Sequence, residues 1–187
     1  IYDVIKFNTA IEKKQITLTI ASQPAKVGET VYLLPYSTQK ATTIQTGKVT
    51  AVDSIGNQSF YYTLEMKTNE KTVSCPIMNA NGQLLGLIQK NASSENTESY
   101  AISAGFGASL TVTALSANDG ALNNIGIKKA LPASEEQALV YLIMATGKWD
   151  NEKYLNLLND YIQQFPNSLD GYIKRSVYYI TNGDASQ

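Results

Sequence analysis

The sequence contains no histidine, a single cysteine and a single arginine among 187 residues. Without histidine, no residue can serve as the imidazole base of a serine or cysteine hydrolase or as a histidine metal ligand. The lone cysteine, Cys75, cannot close a disulfide within the chain or build a cysteine-rich zinc site. These absences exclude several chemistries for the chain as given. Its length is that of one domain or two small ones.

The charge is nearly balanced, with 15 Lys and Arg against 16 Asp and Glu, and Arg175 is the one arginine. Nucleic acid is therefore not an expected partner, because phosphate binding needs a basic face and guanine recognition relies on arginine. The longest apolar run, residues 138–145, falls far short of the roughly 20 residues that span a bilayer. No P-loop, dinucleotide fingerprint or metal-ligand spacing is present, so we expect no cofactor and no metal. Because the chain starts at Ile1, we expect a preceding segment.

Residues 1–112 have the pattern of short strands separated by turns. Segments rich in β-branched and aromatic residues alternate with Gly, Asn and Pro. These segments are 4–7, 16–20, 30–35, 47–52, 60–66, 84–88 and 100–103. Asn81 and Gly82 form a strong hairpin signal between residues 76–78 and the segment at 84–88. The spacing predicts a closed antiparallel barrel or a sandwich.

From about residue 133 the apolar spacing changes to the period of a helix. Ser134 and Gln137 form a capping box for a first helix, which Gly147 ends. A second helix is predicted over 150–165, with one apolar face, and a third from residue 167 or 168 to Gly183. The predicted fold class is β plus α, with a barrel at 1–112, a connection with one or two short helices at 113–133, and helices at 134–187.

Residues 74–79 and 81–88 form a distinctive motif: a proline, apolar residues, a hairpin turn and a Gly before two apolar residues. This motif resembles the segment that follows the catalytic serine in the second, C-terminal barrel of the trypsin-like serine peptidases. Residues 27–34 and 99–103 resemble the first and last strands of that barrel. The resemblance places Asp3 at the position of the triad aspartate. It also implies that the barrel with the catalytic histidine precedes Ile1.

The resemblance implies a degenerate nucleophile loop. Counting back from Pro76, the family's serine falls on Val73, its following Gly on Ser74, and the Gly two residues before the serine on Lys71. Valine has no nucleophilic atom, and an oxyanion hole needs backbone N–H groups that Gly presents easily. The first interpretation is therefore an inactive barrel. Ser74 or Cys75 as the nucleophile of a loop shifted by one or two residues is an alternative.

A third interpretation is a peptide-binding groove that kept its binding after losing its chemistry. It would use the edge strand at Leu87, Ile88, Gln89 and Lys90, which would flank a substrate in active relatives. Binding by strand addition depends on backbone hydrogen bonds and needs no catalytic side chain.

The last predicted helix has a regular set of spaced residues: Pro166, Tyr172, Ser176, Tyr179 and Gly183. This set resembles the start of a tetratricopeptide repeat. In that family a bulky aromatic, a small residue, a tyrosine and a turn Gly occupy these offsets, because the small residue lets two helices approach closely. The alternative is a plain helical appendage that packs its Tyr and Leu stripe on the barrel.

Together these patterns predict an inactive trypsin-like barrel fused to tetratricopeptide-like helices, with a protein or peptide as partner. The alternative function is an active serine or cysteine endopeptidase whose catalytic histidine lies in a missing N-terminal segment. The family resemblance favours a periplasmic or secreted location, although the sequence itself carries no signal that fixes the compartment.

Overall fold

The structure is a computed structural model, and it describes residues 4–10, 17–36, 43–56, 59–91, 97–117, 119–120 and 126–183. The chain divides into two compact units, residues 1–110 and 111–187. Strands dominate the first unit and helices the second, so the fold is β plus α as the sequence predicts. The finer division at residues 112 and 133 stays a prediction.

The first unit is a closed barrel of antiparallel strands. The strands are β1 Thr30–Leu33, β2 Gln45–Ser54, β3 Phe60–Glu65, β4 Pro76–Met78, β5 Leu84–Ile88 and β6 Glu98–Ser103. Around the barrel their order is β1-β2-β3-β6-β5-β4, and pairing between β1 and β4 closes the wall. The predicted closed antiparallel barrel is thus confirmed.

Alternation of side chains along the strands builds the barrel core. In β1, Val31 and Leu33 are completely buried whereas Thr30 is exposed, as expected for a strand with one face inward. The same alternation buries Leu64 in β3. Gly86 in β5 lies so close to β6 that a Cβ atom there would overlap the carbonyl oxygen of Ile102. A side chain is excluded at this position by the neighbouring strand.

Two predicted strands are absent from the barrel. Residues 4–10 form no strand, and their Lys6 ammonium donates to the carbonyl oxygens of Ala108 (2.8 Å) and Leu110 (3.1 Å). Residues 17–20 are exposed and make one isolated parallel bridge, Ile20 with Leu84. Both predictions were wrong: the six strands pair with one another around the wall, and the second segment reaches it through Leu84 alone among the described residues, whose N–H donates to the Thr19 carbonyl and whose carbonyl accepts from the Ala21 N–H. Residue 16 of the second prediction lies outside the described residues.

The hairpin predicted at Asn81-Gly82 joins β4 to β5. The Asn79 side-chain oxygen accepts hydrogen bonds from the backbone N–H groups of Asn81 (3.0 Å) and Gln83 (2.9 Å). Gly82 has a φ of 72°, which a residue without Cβ adopts at no steric cost. Local turn chemistry therefore sets the register of the two strands.

The helices are α1 Ala104–Ser109, α2 Ala114–Ala117, α3 Glu135–Ala145, α4 Asn151–Gln164 and α5 Leu169–Thr181. The first lies in the barrel unit and the other four in the second unit. Ser134 caps α3 by accepting from the Gln137 N–H, and Asp150 caps α4 by accepting from the Lys153 N–H at 2.8 Å. Polar N-cap residues thus set the starts of α3 and α4, and the sequence predicts the first of these caps, Ser134.

The second unit has its own core between α3 and α4. Its fully buried members are Ala138, Tyr141, Leu142, Ala145, Leu158 and Tyr161. Helix α5 packs on α4 through Gly171, where a Cβ would come within 2.9 Å of Tyr161 and Ile162 side-chain atoms. Among the residues described, no helix is long and apolar enough to cross a membrane.

Candidate functional site

The loop before β4 holds the residues that the sequence aligns with a peptidase nucleophile. It begins with a 3-10 turn, Glu70–Thr72, which Asn69 caps from both directions. The Asn69 side chain accepts from the Lys71 N–H at 2.9 Å, and the Asn69 N–H donates to the Thr72 hydroxyl oxygen at 3.0 Å. These bonds fix the backbone immediately before Val73.

A tight turn over residues 72–75 follows. The Cys75 N–H donates to the Thr72 carbonyl at 3.1 Å, Val73 has φ −59° and ψ 137°, and Ser74 has a φ of 65°. These values describe a type II turn, whose third residue needs a positive φ and is usually Gly. Ser74 is the one non-Gly residue with positive φ among the residues described. Its position is also where the peptidase resemblance places a Gly.

Backbone N–H groups of this loop bond within the barrel unit. Besides the Lys71 bond to Asn69, Val73 donates to the Glu70 carbonyl at 3.4 Å and Ser74 donates to the Ile88 carbonyl at 2.8 Å. An oxyanion hole requires donors that converge on a point outside the loop, about 3 Å from each. In this conformation the donors are directed at the protein's own acceptors.

The three side chains at the candidate nucleophile positions have different environments. Val73 is half-buried and carries no polar atom. Ser74 is exposed. Cys75 is completely buried in the barrel core, where its thiol lies 3.8 Å from the Lys71 carbonyl oxygen. Only the Ser74 hydroxyl could meet a substrate without movement of the loop.

Tyr36 contacts this loop although no sequence pattern indicates it. Its hydroxyl donates to the Ser74 carbonyl at 3.1 Å, and the side chain is otherwise exposed. The two residues are 38 positions apart, so only the pairing of β1 with β4 brings them together. Asn69 could have been found, since an Asn three residues before a Thr is a form of helix cap.

The predicted peptide-binding segment lies mostly inside the barrel wall. Leu87 pairs with residues of both β4 and β6, and the Ile88 N–H donates to the Cys75 carbonyl at 3.0 Å. The Gln89 N–H donates to Tyr100, whereas Lys90 is exposed. The expected sheet edge at Leu87 and Ile88 is therefore wrong, because both sides of β5 are occupied. Peptide binding stays a prediction that would have to use other groups.

Asp3, the candidate triad aspartate, lies outside the described residues.

The repeat-signature residues fall on the turn before α5, on the helix and just after it. Pro166 accepts a hydrogen bond from the Tyr172 hydroxyl at 3.0 Å, Ser176 is exposed, Tyr179 is half-buried, and Gly183 has a φ of 81°. Within the described residues, no group of three or more acidic or cysteine side chains is placed to hold a metal ion.

Comparison with solved structures finds similarity to Rv3671c, a protease from M. tuberculosis. A serine-to-alanine mutant in an inactive form has 23% identity and a TM-score of 0.40, covering 51% of this chain and 55% of that one. The protease in its inactive form has 22% identity and a TM-score of 0.41, and the match covers 59% of this chain and 54% of that one. The active form has 22% identity and a TM-score of 0.41, and the match covers 61% of this chain and 50% of that one.

The chain thus spans about half the length of the solved structures it matches. No family model and no curated protein matches the sequence.

Proposed function

We propose that the chain is a catalytically inactive relative of the trypsin-like peptidases, joined to tetratricopeptide-like helices, and that it acts as a protein–protein interaction module. The observation that carries this proposal is the loop at residues 69–75. Its N–H groups bond to the protein's own acceptors, and its nucleophile position holds Val73.

The oxyanion argument follows from the alignment of Val73 with the nucleophile. The donors would then be the N–H groups of residues 71 and 73, which bond to the Asn69 side chain and the Glu70 carbonyl. Loss of one such donor costs about 3 kcal/mol of transition-state stabilisation. Both would have to leave their present acceptors before they could stabilise an oxyanion.

The conformation of Ser74 supports this register of the alignment. A type II turn favours Gly at its third position, and the family motif has its Gly directly after the nucleophile. Ser74 occupies this position with a φ of 65°. If the alignment shifted by one residue, Ser74 would be the nucleophile and the family's Gly would align with Cys75. The Cys75 backbone is not in the left-handed region that a Gly at this position would favour.

Cys75 is poorly placed as a nucleophile for a different reason. A reactive thiol needs access to substrate and a partner that stabilises the thiolate. Cys75 is completely buried, and the chain has no histidine. It therefore fits the role of a small core residue.

The helical unit supports the interaction role. Helices α4 and α5 form an antiparallel hairpin with close approach at Gly171, and Gly183 follows α5 in a left-handed conformation. This arrangement suits a repeat in which each helix pair needs a neighbour to bury its apolar face.

An active peptidase with its histidine in a preceding segment is the second candidate. The exposed Ser74 hydroxyl on a strained backbone favours it, since strain is often stored at functional sites. Fluorophosphonate and iodoacetamide activity probes on the full-length protein separate the two candidates. We expect no fluorophosphonate labelling and iodoacetamide labelling of Cys75 only after unfolding. Covalent capture of Ser74 that a Ser74→Ala variant abolishes would overturn the inactive interpretation.

The interaction role has its own test. A full-length variant carrying Ser74→Ala and Cys75→Ala should retain the same partner proteins as the natural chain in quantitative affinity capture. Binding that disappears with these two side chains would favour the peptidase, because it would depend on nucleophilic atoms.

A further inference from the structure

Two asparagines of the chain are directly followed by glycine: Asn81 in the β4–β5 hairpin and Asn182 at the end of α5. In such a dipeptide the backbone nitrogen of the glycine can attack the side-chain carbonyl carbon of the asparagine and form a five-membered succinimide ring. Glycine favours this reaction because no Cβ shields the attacking nitrogen. Both dipeptides have this chemistry in their sequence, so the fold determines which of them reacts.

The attacking nitrogens of the two dipeptides have similar environments. The Gly82 N–H donates to the Asn79 carbonyl at 3.0 Å, and the Gly183 N–H donates to the Ile180 carbonyl at 3.3 Å. Both glycines have a positive φ, 72° and 81° respectively. Each nitrogen has to leave one backbone acceptor before it attacks, so the glycines do not distinguish the two dipeptides.

The asparagine side chains, in contrast, differ. The Asn182 amide is held at both ends, because its oxygen accepts from the Asn151 side chain at 2.6 Å and its nitrogen donates to the Tyr178 carbonyl at 2.8 Å. Asn81 is exposed, and its side-chain amide makes no hydrogen bond with the described part of the chain. The Asn81 side-chain carbon is therefore free to rotate toward the Gly82 nitrogen, whereas that of Asn182 is held by α4 and α5.

We propose that Asn81 is a site of spontaneous deamidation in the folded chain and that Asn182 is protected from the same reaction. The Gly82 nitrogen forms a bond to the Asn81 Cγ, the Cγ–Nδ2 bond breaks, and the Gly82 proton leaves with the amide nitrogen as ammonia. Water then opens the ring at either carbonyl. One product is aspartate, and the other is isoaspartate, in which the backbone runs through the former side chain.

Asn79 controls the rate at Asn81 because it holds the turn. Its side-chain oxygen accepts from the N–H groups of Asn81 (3.0 Å) and Gln83 (2.9 Å), and its carbonyl accepts from the Gly82 N–H. These bonds have to open before the attack. They belong to an exposed hairpin tip, where the free energy of local opening is low. The tip opens without loss of the pairing between β4 and β5.

The modification changes the hairpin itself. Isoaspartate inserts one additional carbon into the backbone between residues 81 and 82, and the register of a hairpin depends on the length of its turn. Both products also replace a neutral amide with a negative charge at the tip. The structure thus assigns a chemical modification site to the end of the hairpin that is remote from the loop at residues 69–75. This inference goes beyond the proposed function and does not depend on it.

Peptide mapping by mass spectrometry tests the proposal on the full chain, with samples taken during long incubation at mildly alkaline pH. Each dipeptide is compared with itself in concentrated urea, so that the effect of its sequence neighbours cancels. We expect folding to slow the reaction at Asn182 about tenfold or more beyond its effect at Asn81, because two hydrogen bonds of the Asn182 amide have to break as well. Methylation by an isoaspartyl methyltransferase identifies the isoaspartate product at Asn81.

Two variants test the contacts that set these rates. Asn79→Ala removes the side-chain acceptor of the turn and should accelerate deamidation at Asn81 while leaving Asn182 unchanged. Asn151→Ala releases the Asn182 side-chain oxygen and should accelerate only Asn182. Circular dichroism confirms that each variant is folded, and the comparison with urea needs neither variant.

Equal slowing of both dipeptides by folding would overturn the proposal, because the side-chain contacts would then have no effect. An Asn81 amide that stays intact in the folded chain while it is lost in urea would overturn it as well. An unchanged rate at Asn81 in a folded Asn79→Ala variant would refute the role of Asn79.

Discussion

Two buried tyrosines in the helical core should respond oppositely to loss of the hydroxyl group. Tyr141 and Tyr161 are both completely buried, and each contacts another aromatic ring. The Tyr161 hydroxyl shares a 3.0 Å hydrogen bond with the Ser168 hydroxyl. The Tyr141 hydroxyl has no hydrogen-bond partner among the described residues. The two Tyr→Phe substitutions therefore form a matched pair that isolates the hydrogen bond.

The expected magnitudes follow from the cost of burying a polar group. A buried hydroxyl without a partner loses its hydrogen bonds to water and gains none in the protein, which costs about 1–3 kcal/mol. Tyr141→Phe removes this hydroxyl and should therefore raise the free energy of unfolding by about 1 kcal/mol. Tyr161→Phe breaks a bond and leaves the buried Ser168 oxygen unpaired, so it should lower the free energy of unfolding by about 1–2 kcal/mol. Each kcal/mol shifts the melting temperature of a unit of this size by about 4–8 °C.

Trp149 provides the assay because it is the only tryptophan and belongs to the helical unit. Its ring lies 5.8 Å from the Tyr141 ring in an edge contact, so its emission reports unfolding of this core. Urea titrations followed by Trp149 fluorescence and by far-UV circular dichroism should agree on the order Tyr141→Phe, natural chain, Tyr161→Phe. Equal destabilisation by both substitutions would refute the reasoning, since the Tyr141 hydroxyl would then make a hydrogen bond of similar value.

Alkaline pH gives the same pair a second readout. Burial raises the pKa of Tyr141 to about 12 from its ordinary value of 10.0. The unfolded chain then loses the proton first, so the stabilisation is complete below pH 10 and disappears between pH 10 and 12. At 1.36 kcal/mol per unit this is about 3 kcal/mol. Tyr141→Phe should remove that part of the alkaline instability. Burial also raises the pKa of Tyr62 and Tyr161, so some instability should persist.

Two further predictions concern the barrel. Ser74→Gly should raise stability by about 0.5–1 kcal/mol, because Gly adopts the positive φ without strain, whereas Ser54→Gly in β2 should lower it by a similar amount, both measured by urea unfolding. Equal losses in both would contradict the turn assignment. Gly86→Ala should cost about 3 kcal/mol and accelerate hydrogen exchange of β5 amides, because its Cβ would overlap the β6 backbone. Gly107→Ala is the control and should leave stability nearly unchanged, because its Cβ would meet only Val4, at 3.6 Å. If Gly107→Ala lowers stability as much as Gly86→Ala does, close packing against β6 is not the reason for the loss.

Local patterns predicted the elements whose ends have specific chemistry. Asn81 and Gly82 indicated the β4–β5 hairpin, and Ser134 indicated the start of α3, because turn and cap residues act on the backbone within a few positions. The failures at residues 4–7 and 17–20 have the opposite cause. Which segments join the barrel wall depends on long-range pairing, and β propensity carries no information about that pairing.

The candidate site was predicted only in its composition. The sequence shows that Val73 carries no nucleophilic atom, but it could not show where the loop's N–H groups bond. The acceptor of the Ser74 N–H is Ile88, on a strand that follows fourteen residues later, and the Tyr36 contact spans a still longer separation. The first contact continues the ladder of the β4–β5 hairpin, whereas the second depends on closure of the barrel by pairing of β1 with β4.

The orientation of α5 shows how a correct local prediction can leave the larger question unanswered. The period of its apolar residues predicts an amphipathic helix, and α5 is one. Periodicity defines a face but not the surface that it meets, and Gly171 decides the matter by allowing the opposite face to approach α4. Leu169, Ile173 and Ile180 are thereby left exposed. Gly171 is the residue on which this orientation depends, because a side chain at that position would push α5 away from Tyr161.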